Sequence, residues 1–251
     1  MLRGRIGLAV GRFLARLRSF ADFDERDDEA VLSLPWTSIS VSRGKDVLHV
    51  GEQPDFVYVV ESGWAARYAI RRDGSRRITG FMLPGDLCGI HAFVALPMEH
   101  AVTALTNCEI VRIKSKAIYA ASAASPAIVR AMWRAKLADE AVLRMWLLNS
   151  RDAAQALAHL LCELHARADA IGEAEDGGFH LPATQEQIGD ALGITAVHTN
   201  RMLRQLRTRG LVEVLNGRVA IPDVRALRAA CGFSPSYLHL PARGTDHNPM
   251  P

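Results

Sequence analysis

Residues 184–209, TQEQIGDALGITAVHTNRMLRQLRTR, restrict the fold of this chain more than any other stretch. Ile188 and Leu192 share one face of a first helix, with small Gly189 and Ala191 between them, and Gly193 ends it as a C-terminal cap. Thr195 is placed to N-cap a second helix, in which Thr199, Met202, Leu203 and Leu206 recur at helical spacing. A small residue at 189 lets the two helices touch, so the pair reads as a helix-turn-helix, whose second helix can enter the major groove of DNA. Just downstream, 211–215 and 218–221 read as strands around Asn216-Gly217, a pair that tolerates positive φ at both positions of a type I′ turn. The hairpin adds a wing. Seven arginines lie between positions 201 and 228 against two acids, Glu213 and Asp223, so this end is cationic although the net charge of the chain is only +3.

Upstream the texture differs. From Trp36 to about Lys114, short segments alternate with Gly, Pro and Asp: 38–41, 46–50, 56–61, 64–70, 76–82, 101–107 and 108–113 read as strands. Many short strands at close spacing imply an antiparallel barrel or jelly roll, with 89–96 (GIHAFVAL) as a short helix inside it. Residues 5–34 read as helical. Ser125-Pro126 opens a long helix, Pro being well placed at the first helical position, and apolar residues continue from Ile128 to Leu148. Roughly 22 residues make a rod of about 33 Å. Its apolar surface is too broad for one buried stripe, which suits packing on the barrel and on a partner helix. Residues 149–152 read as a hinge, 153–169 as a helix, 172–178 as a polar, Gly-rich connector, 222–230 as a last short helix and 234–251 as poorly ordered.

The expected class is therefore α+β: an N-terminal antiparallel β-barrel or jelly roll, a long dimerisation helix and a C-terminal winged helix-turn-helix. The divisions fall at 1–125, 126–150, 151–232 and a disordered tail, 233–251. A hydrophobic content of 49% supports real cores over these 251 residues. The four cysteines (88, 108, 162, 231) contain no CxxC, so neither a zinc site nor a disulfide framework is legible. The N-terminal MLRGRIGLAVGRFLARLR reads as an amphipathic helix rather than a signal peptide, and no run of apolar residues is long enough for a membrane span. A cytoplasmic protein is expected. There is no nucleophile–base motif and no His-x-His of a metal-dependent barrel enzyme, so an enzyme is not expected.

The order barrel, long helix, hinge, winged helix-turn-helix resembles the Crp/Fnr family of bacterial transcription regulators. The resemblance covers roughly residues 15–232. It is carried by Gly51-Glu52, Ser62-Gly63-Trp64, Asp73-Gly74, Leu83-Pro84-Gly85-Asp86 with Gly89, and LPATQEQIGDALGITAVHTNRMLRQL at 181–206. It implies a homodimer through the long helix, reading a near-palindromic site in double-stranded DNA with recognition helices about 34 Å apart, and contact with RNA polymerase. Arg201 occupies the position of the family's DNA-reading arginine, suited to guanine O6/N7, while the acid common one turn earlier is Val197. Thr195, Ala196 and Asn200 complete the candidate DNA surface, with Thr184, Gln185, His198, Arg204 and Arg218 as candidate phosphate contacts.

In cyclic-nucleotide-binding members, a Glu after the barrel Gly holds the ribose and an Arg-Ser/Thr pair grips the phosphate. Here Ile90 follows Gly89, and the second region reads Glu99-His100, so a phosphate would meet a carboxylate and cyclic AMP is disfavoured. Oxygen-sensing members carry clustered N-terminal cysteines, whereas the first cysteine here is Cys88, which disfavours an iron–sulfur centre. The candidate effector pocket is Cys88, Gly89, Ile90, His91, Glu99 and His100. Cys88, His91 and His100, with Met82 and Met98 nearby, are residue types suited to haem, metal or redox sensing, or to ordinary barrel packing. The effector stays unknown, and no metal site is assigned. His159-x-x-Cys162-x-x-His165 is read as structural. The alternative to a regulator is a ligand-binding or protein-interaction module whose winged helix serves assembly.

Overall fold

The computed structural model describes residues 2–240, and side chains from Val10 onward. Helices α1 (Leu2–Arg18) and α2 (Glu25–Leu32) precede a jelly roll of β1 (Thr37–Val41), β2 (Asp46–Leu48), β3 (Phe56–Ser62), β4 (Ala65–Ile70), β5 (Arg76–Met82), β6 (Leu87–Gly89), α3 (His91–Val94), β7 (Ala101–Ala104) and β8 (Cys108–Lys114). Then come α4 (Ser115–Ala124), α5 (Pro126–Leu148), α6 (Ala153–Ala170), β9 (Ala174–Glu175), β10 (Gly178–His180), α7 (Gln185–Leu192), α8 (Ala196–Thr208), β11 (Glu213–Leu215), β12 (Arg218–Ala220) and α9 (Val224–Cys231).

The jelly roll consists of two four-stranded antiparallel sheets, ordered β1-β8-β3-β6 and β2-β7-β4-β5. Their facing side chains, among them Leu48, Val60, Met82, Cys88, Met98 and Ile110, form one core. Val10, Phe13, Leu14 and Leu17 recur at helical spacing and lay α1 on the outside of the first sheet, in a second core shared with Val57, Val59 and Ile128. Ser125 caps α5, its side chain accepting from the Ile128 N–H at 3.3 Å, with Pro126 at the first helical position.

Four expectations are corrected, and one helix joins those expected. Residues 89–96 do not form a helix inside the barrel: α3 is one turn long and lies outside, against α4 and β3, with Val94 and Leu96 exposed. The strand expected over 101–107 ends at Ala104. Helix α4, which the alanine-rich 115–124 gave no periodic signal for, fills the step between barrel and rod. The connector at 172–178 is the start of a hairpin, β9–β10, and β10 pairs with β12, so the wing belongs to a four-stranded sheet ordered β11-β12-β10-β9. The tail is ordered at its start. Ser234 caps a 3₁₀ turn at Pro235–Leu238, Leu238 is buried, and Tyr237 stacks on His159 at 6.1 Å. Residues 241–251 lie outside the described residues.

Helix α6 is the spine of the C-terminal half, nearly every residue from Ala154 to Ala168 being buried. His159, Cys162 and His165 point into three different places along it: against Phe233 and Tyr237, against Cys231, and against Phe179. They therefore share no ligand, and their role is packing. Burial pushes the His159 imidazole down to about 4 from an ordinary 6.5. The unfolded chain then binds a proton below pH 6.5 that the folded chain refuses until about pH 4, so stability falls as the pH drops through that window and is unaffected above it. The contribution reaches at most about 3 kcal/mol. His159→Gln should flatten the loss of stability between pH 6.5 and 4 by about one proton's worth, with His165 and His100, which burial also pushes down, still contributing; urea denaturation at pH 7, 6 and 5 measures it.

Candidate functional site

The helix-turn-helix is built by local signals that agree with one another. Thr184 caps α7, its hydroxyl accepting from the Gln187 N–H at 3.2 Å while the Gln187 side chain accepts from the Thr184 N–H at 2.9 Å. Gly193 ends the helix in the left-handed region at φ 74°. Thr195 caps α8 by accepting from the His198 N–H. Gly189 is the point of closest approach: a Cβ there would sit 2.5 Å from the Ile194 carbonyl oxygen, so no larger residue fits without parting the helices. Thr199, Met202, Leu203 and Leu206 are buried as the spacing requires, and Thr199 satisfies its buried hydroxyl by donating to the Thr195 carbonyl at 3.1 Å.

The opposite face of α8 is open. Val197 is 82% exposed, and Arg201, Arg204, Arg207 and Arg209 are exposed with it. Ala196, His198 and Asn200 are partly covered. Asn200 donates to the Gln185 side chain at 2.9 Å, tying the outer edges of the two helices. Thr184 and Gln185 begin α7 beside this face and are exposed. Arg218 lies on the wing, where its guanidinium donates to the Glu175 carbonyl at 2.5 Å. Asn216 and Gly217 both have positive φ, 50° and 77°, as the turn type requires. The back of α7 is docked on the barrel: Arg76 of β5 pairs with Asp190 at 2.7 Å, and the Arg77 guanidinium covers Gly193.

A second feature is a cavity of about 100 Å³ between α1, the β6–α3 turn and α5. Cys88, Gly89, Ile90, His91 and His100 line it, as do Arg16 and Arg67. Glu99 does not. It is exposed and lies outside the cavity wall, where it receives both imidazoles, His91 Nε2 at 2.5 Å and His100 Nδ1 at 2.9 Å. Partial burial would raise the Glu99 carboxyl, but hydrogen bonds from its own backbone and the two histidines outweigh it and hold the group at about 2. Cys88 is fully buried, and burial pushes its thiol well above the ordinary range, so it carries no thiolate and packs with Met82 and Met98 in the barrel core. Gly89 is kept small by Leu48, whose Cδ1 would lie 3.0 Å from an added Cβ. Leu238 from the C-terminal turn and Phe13 and Leu17 from α1 close the cavity, and sequence reading placed neither segment there.

A jelly roll joined through a long helix to a winged helix-turn-helix defines a DNA-binding transcription regulator. Comparison with known proteins agrees in both halves. The family model described as "Cyclic nucleotide-binding domain" matches residues 38–125, and the one described as "Crp-like helix-turn-helix domain" matches residues 155–230. The chain is 26% identical over 211 residues to the nitrogen fixation regulation protein FixK of Azorhizobium caulinodans, covering 83% of this chain and 84% of that one. It is likewise 26% identical over 214 residues to the transcriptional activator protein FnrA of Stutzerimonas stutzeri, covering 84% and 85%. The structure of FixK2 from Bradyrhizobium japonicum superposes with a TM-score of 0.71 at 24% identity, over 78% of this chain and 97% of that one. The chain belongs to the Crp/Fnr family of transcription regulators.

Proposed function

We propose that this regulator acts as a homodimer that reads a near-palindromic operator through α8, and that neither cyclic AMP nor an N-terminal iron–sulfur cluster controls it. The observation that carries the reading is the exposed face of α8, where Arg201 and Arg204 stand beside Val197 with no protein covering them. Arg201 makes the base contact, bidentate to a guanine. Val197 cannot accept from a cytosine amine but can pack on a thymine methyl, so the operator departs from the family's usual base pair at that position. Thr184, Gln185, His198 and Arg204 fix the register on phosphates, while Thr195, Ala196 and Asn200 shape the surface around Arg201. Arg218 is exposed and has donors left for a phosphate beside its bond to the Glu175 carbonyl.

Dimerisation through α5 is supported by Trp133, Leu137, Leu147 and Leu148, large apolar residues that this rod exposes. Independence from cyclic AMP is supported by Ile90, which lines the cavity and offers a ribose no hydrogen bond. Each of the four cysteines is buried and free, two in the barrel and two in the C-terminal half. The protein works in the cytoplasm with RNA polymerase as a partner, as its family implies, and no helix among the described residues is long and apolar enough to cross a membrane.

Selection of bound DNA from a random pool supplies the operator on which the reading is tested. Arg201→Ala should weaken binding to it by about 1–3 kcal/mol and relax preference at one base pair per half-site; unchanged binding removes α8 as the reading helix. Affinity should fall steeply with salt, as phosphate contacts require, and a flat response would favour an assembly module instead. Leu137→Glu, placing a charge on the exposed apolar face of α5, should shift the protein to monomer in sedimentation and lower operator affinity. Saturating cyclic AMP should leave operator affinity as it is, and a clear rise would overturn the reading of Ile90.

A further inference from the structure

Outside the DNA-reading face, the described residues hold one group of three potential metal ligands: His91, Glu99 and His100. His91 opens α3 and His100 precedes β7, so the segment between them closes on itself at this point. Both imidazoles are largely buried, while Glu99 is 70% exposed and closes the group from the solvent side. One ligand atom from each residue lies within 4.8 Å of the others, and His91 Nε2 and His100 Nδ1 are the nitrogens that face the Glu99 oxygens. The two rings stand edge to face with centroids 5.2 Å apart, so their nitrogens converge on the carboxylate from different directions.

We propose that His91, Glu99 and His100 form a binding site for a divalent transition-metal ion of the zinc class. Two imidazole nitrogens and one carboxylate are the donor set that such an ion takes in three-ligand sites, leaving a fourth position for water or an exogenous ligand. Bonds of about 2.0–2.1 Å in a tetrahedron put neighbouring donors roughly 3.3 Å apart. Glu99 stands nearer than that to both rings, and as the exposed member it is the ligand free to move back and admit the ion. The buried histidines supply the fixed part of the site. The open position lies on the Glu99 side, away from the barrel core. Because His91 and His100 also wall the cavity beneath α5, an ion here would pin the 91–100 segment to the rod-facing side of the barrel. The site is independent of what α8 reads.

The full-length protein, stripped with chelator and dialysed, should bind one equivalent of Zn²⁺ in competition with a chromophoric chelator. Co²⁺ should give the visible d–d absorption of a four-coordinate site, and Zn²⁺ should raise the melting temperature. Glu99→Gln, at an exposed position that the fold tolerates, should weaken Zn²⁺ binding at least about tenfold, since a direct ligand matters no less than an outer one. His91→Gln with His100→Gln should abolish it, whereas His49→Gln, at an exposed histidine outside the group, should leave it intact. Absence of binding at micromolar Zn²⁺, or binding unchanged by Glu99→Gln, overturns the site. Operator affinity of Glu99→Gln without metal, expected to match the parent, separates loss of the site from loss of the regulator fold.

Discussion

The Arg167 guanidinium is the buried charged tie between the two halves of the protein, set beside a hydrophobic core in which Phe81 and Leu83 of the barrel meet α6. Projecting from α6, it donates to Asp86 of the barrel at 2.7 Å, to the Phe81 carbonyl at 2.8 Å and to Glu163 one turn back at 3.1 Å. Glu163, fully buried, is also held by the Trp146 indole of α5 at 2.7 Å, and Asp86 faces Arg16 of α1. Burial works against the charge on Arg167, but Asp86 and Glu163 keep it firmly protonated; burial pushes the Glu163 carboxyl up, against the pull of Arg167. Charges this deep are tolerable only as a complete set, and removing one partner of such a group typically costs about 3–5 kcal/mol. Four elements therefore share one electrostatic centre, and the position of the DNA-binding half relative to the barrel depends on it.

A second tie lies nearer the DNA-reading helix. Arg76 with Asp190, and Arg77 over Gly193, fasten the back of α7 to β5 while α8 keeps its arginines in solvent. The barrel thus grips the helix that positions, and leaves free the helix that reads. Around its cavity the barrel is covered on two sides by segments of its own chain, α1 and the turn at Pro235–Leu238, so any ligand entering there meets Phe13, Leu17 and Leu238 as well as the barrel wall.

Much of this was legible in the residues because it depends on near neighbours in the chain. The caps Thr184 and Thr195, the stop at Gly193, the Asn216-Gly217 turn and the buried stripe of α8 each follow from side chains a few positions apart. The barrel strands were legible for the same reason, turn residues separating short apolar runs. Helix α4 was not, since an alanine-rich stretch marks no buried face, and neither was β9–β10, whose two short strands are stabilised by β12 some forty residues on. In the effector pocket the residue types were visible while their grouping was not: Glu99 lies outside the cavity and binds the two histidines that wall it, and Cys88 packs with Met82 and Met98 of the core.

A helix-turn-helix with a wing, a barrel and a rod between them follow from the residues alone, because hydrophobic period, capping and turn chemistry act over a few positions. It takes the folded chain to bring Arg167 to Asp86, His91 and His100 to Glu99, and Leu238 to the cavity from the C-terminal side. Those contacts join residues that the fold alone brings into reach, and a charged or ligand-forming side chain carries no mark of its partner until burial makes leaving it unpaired too costly.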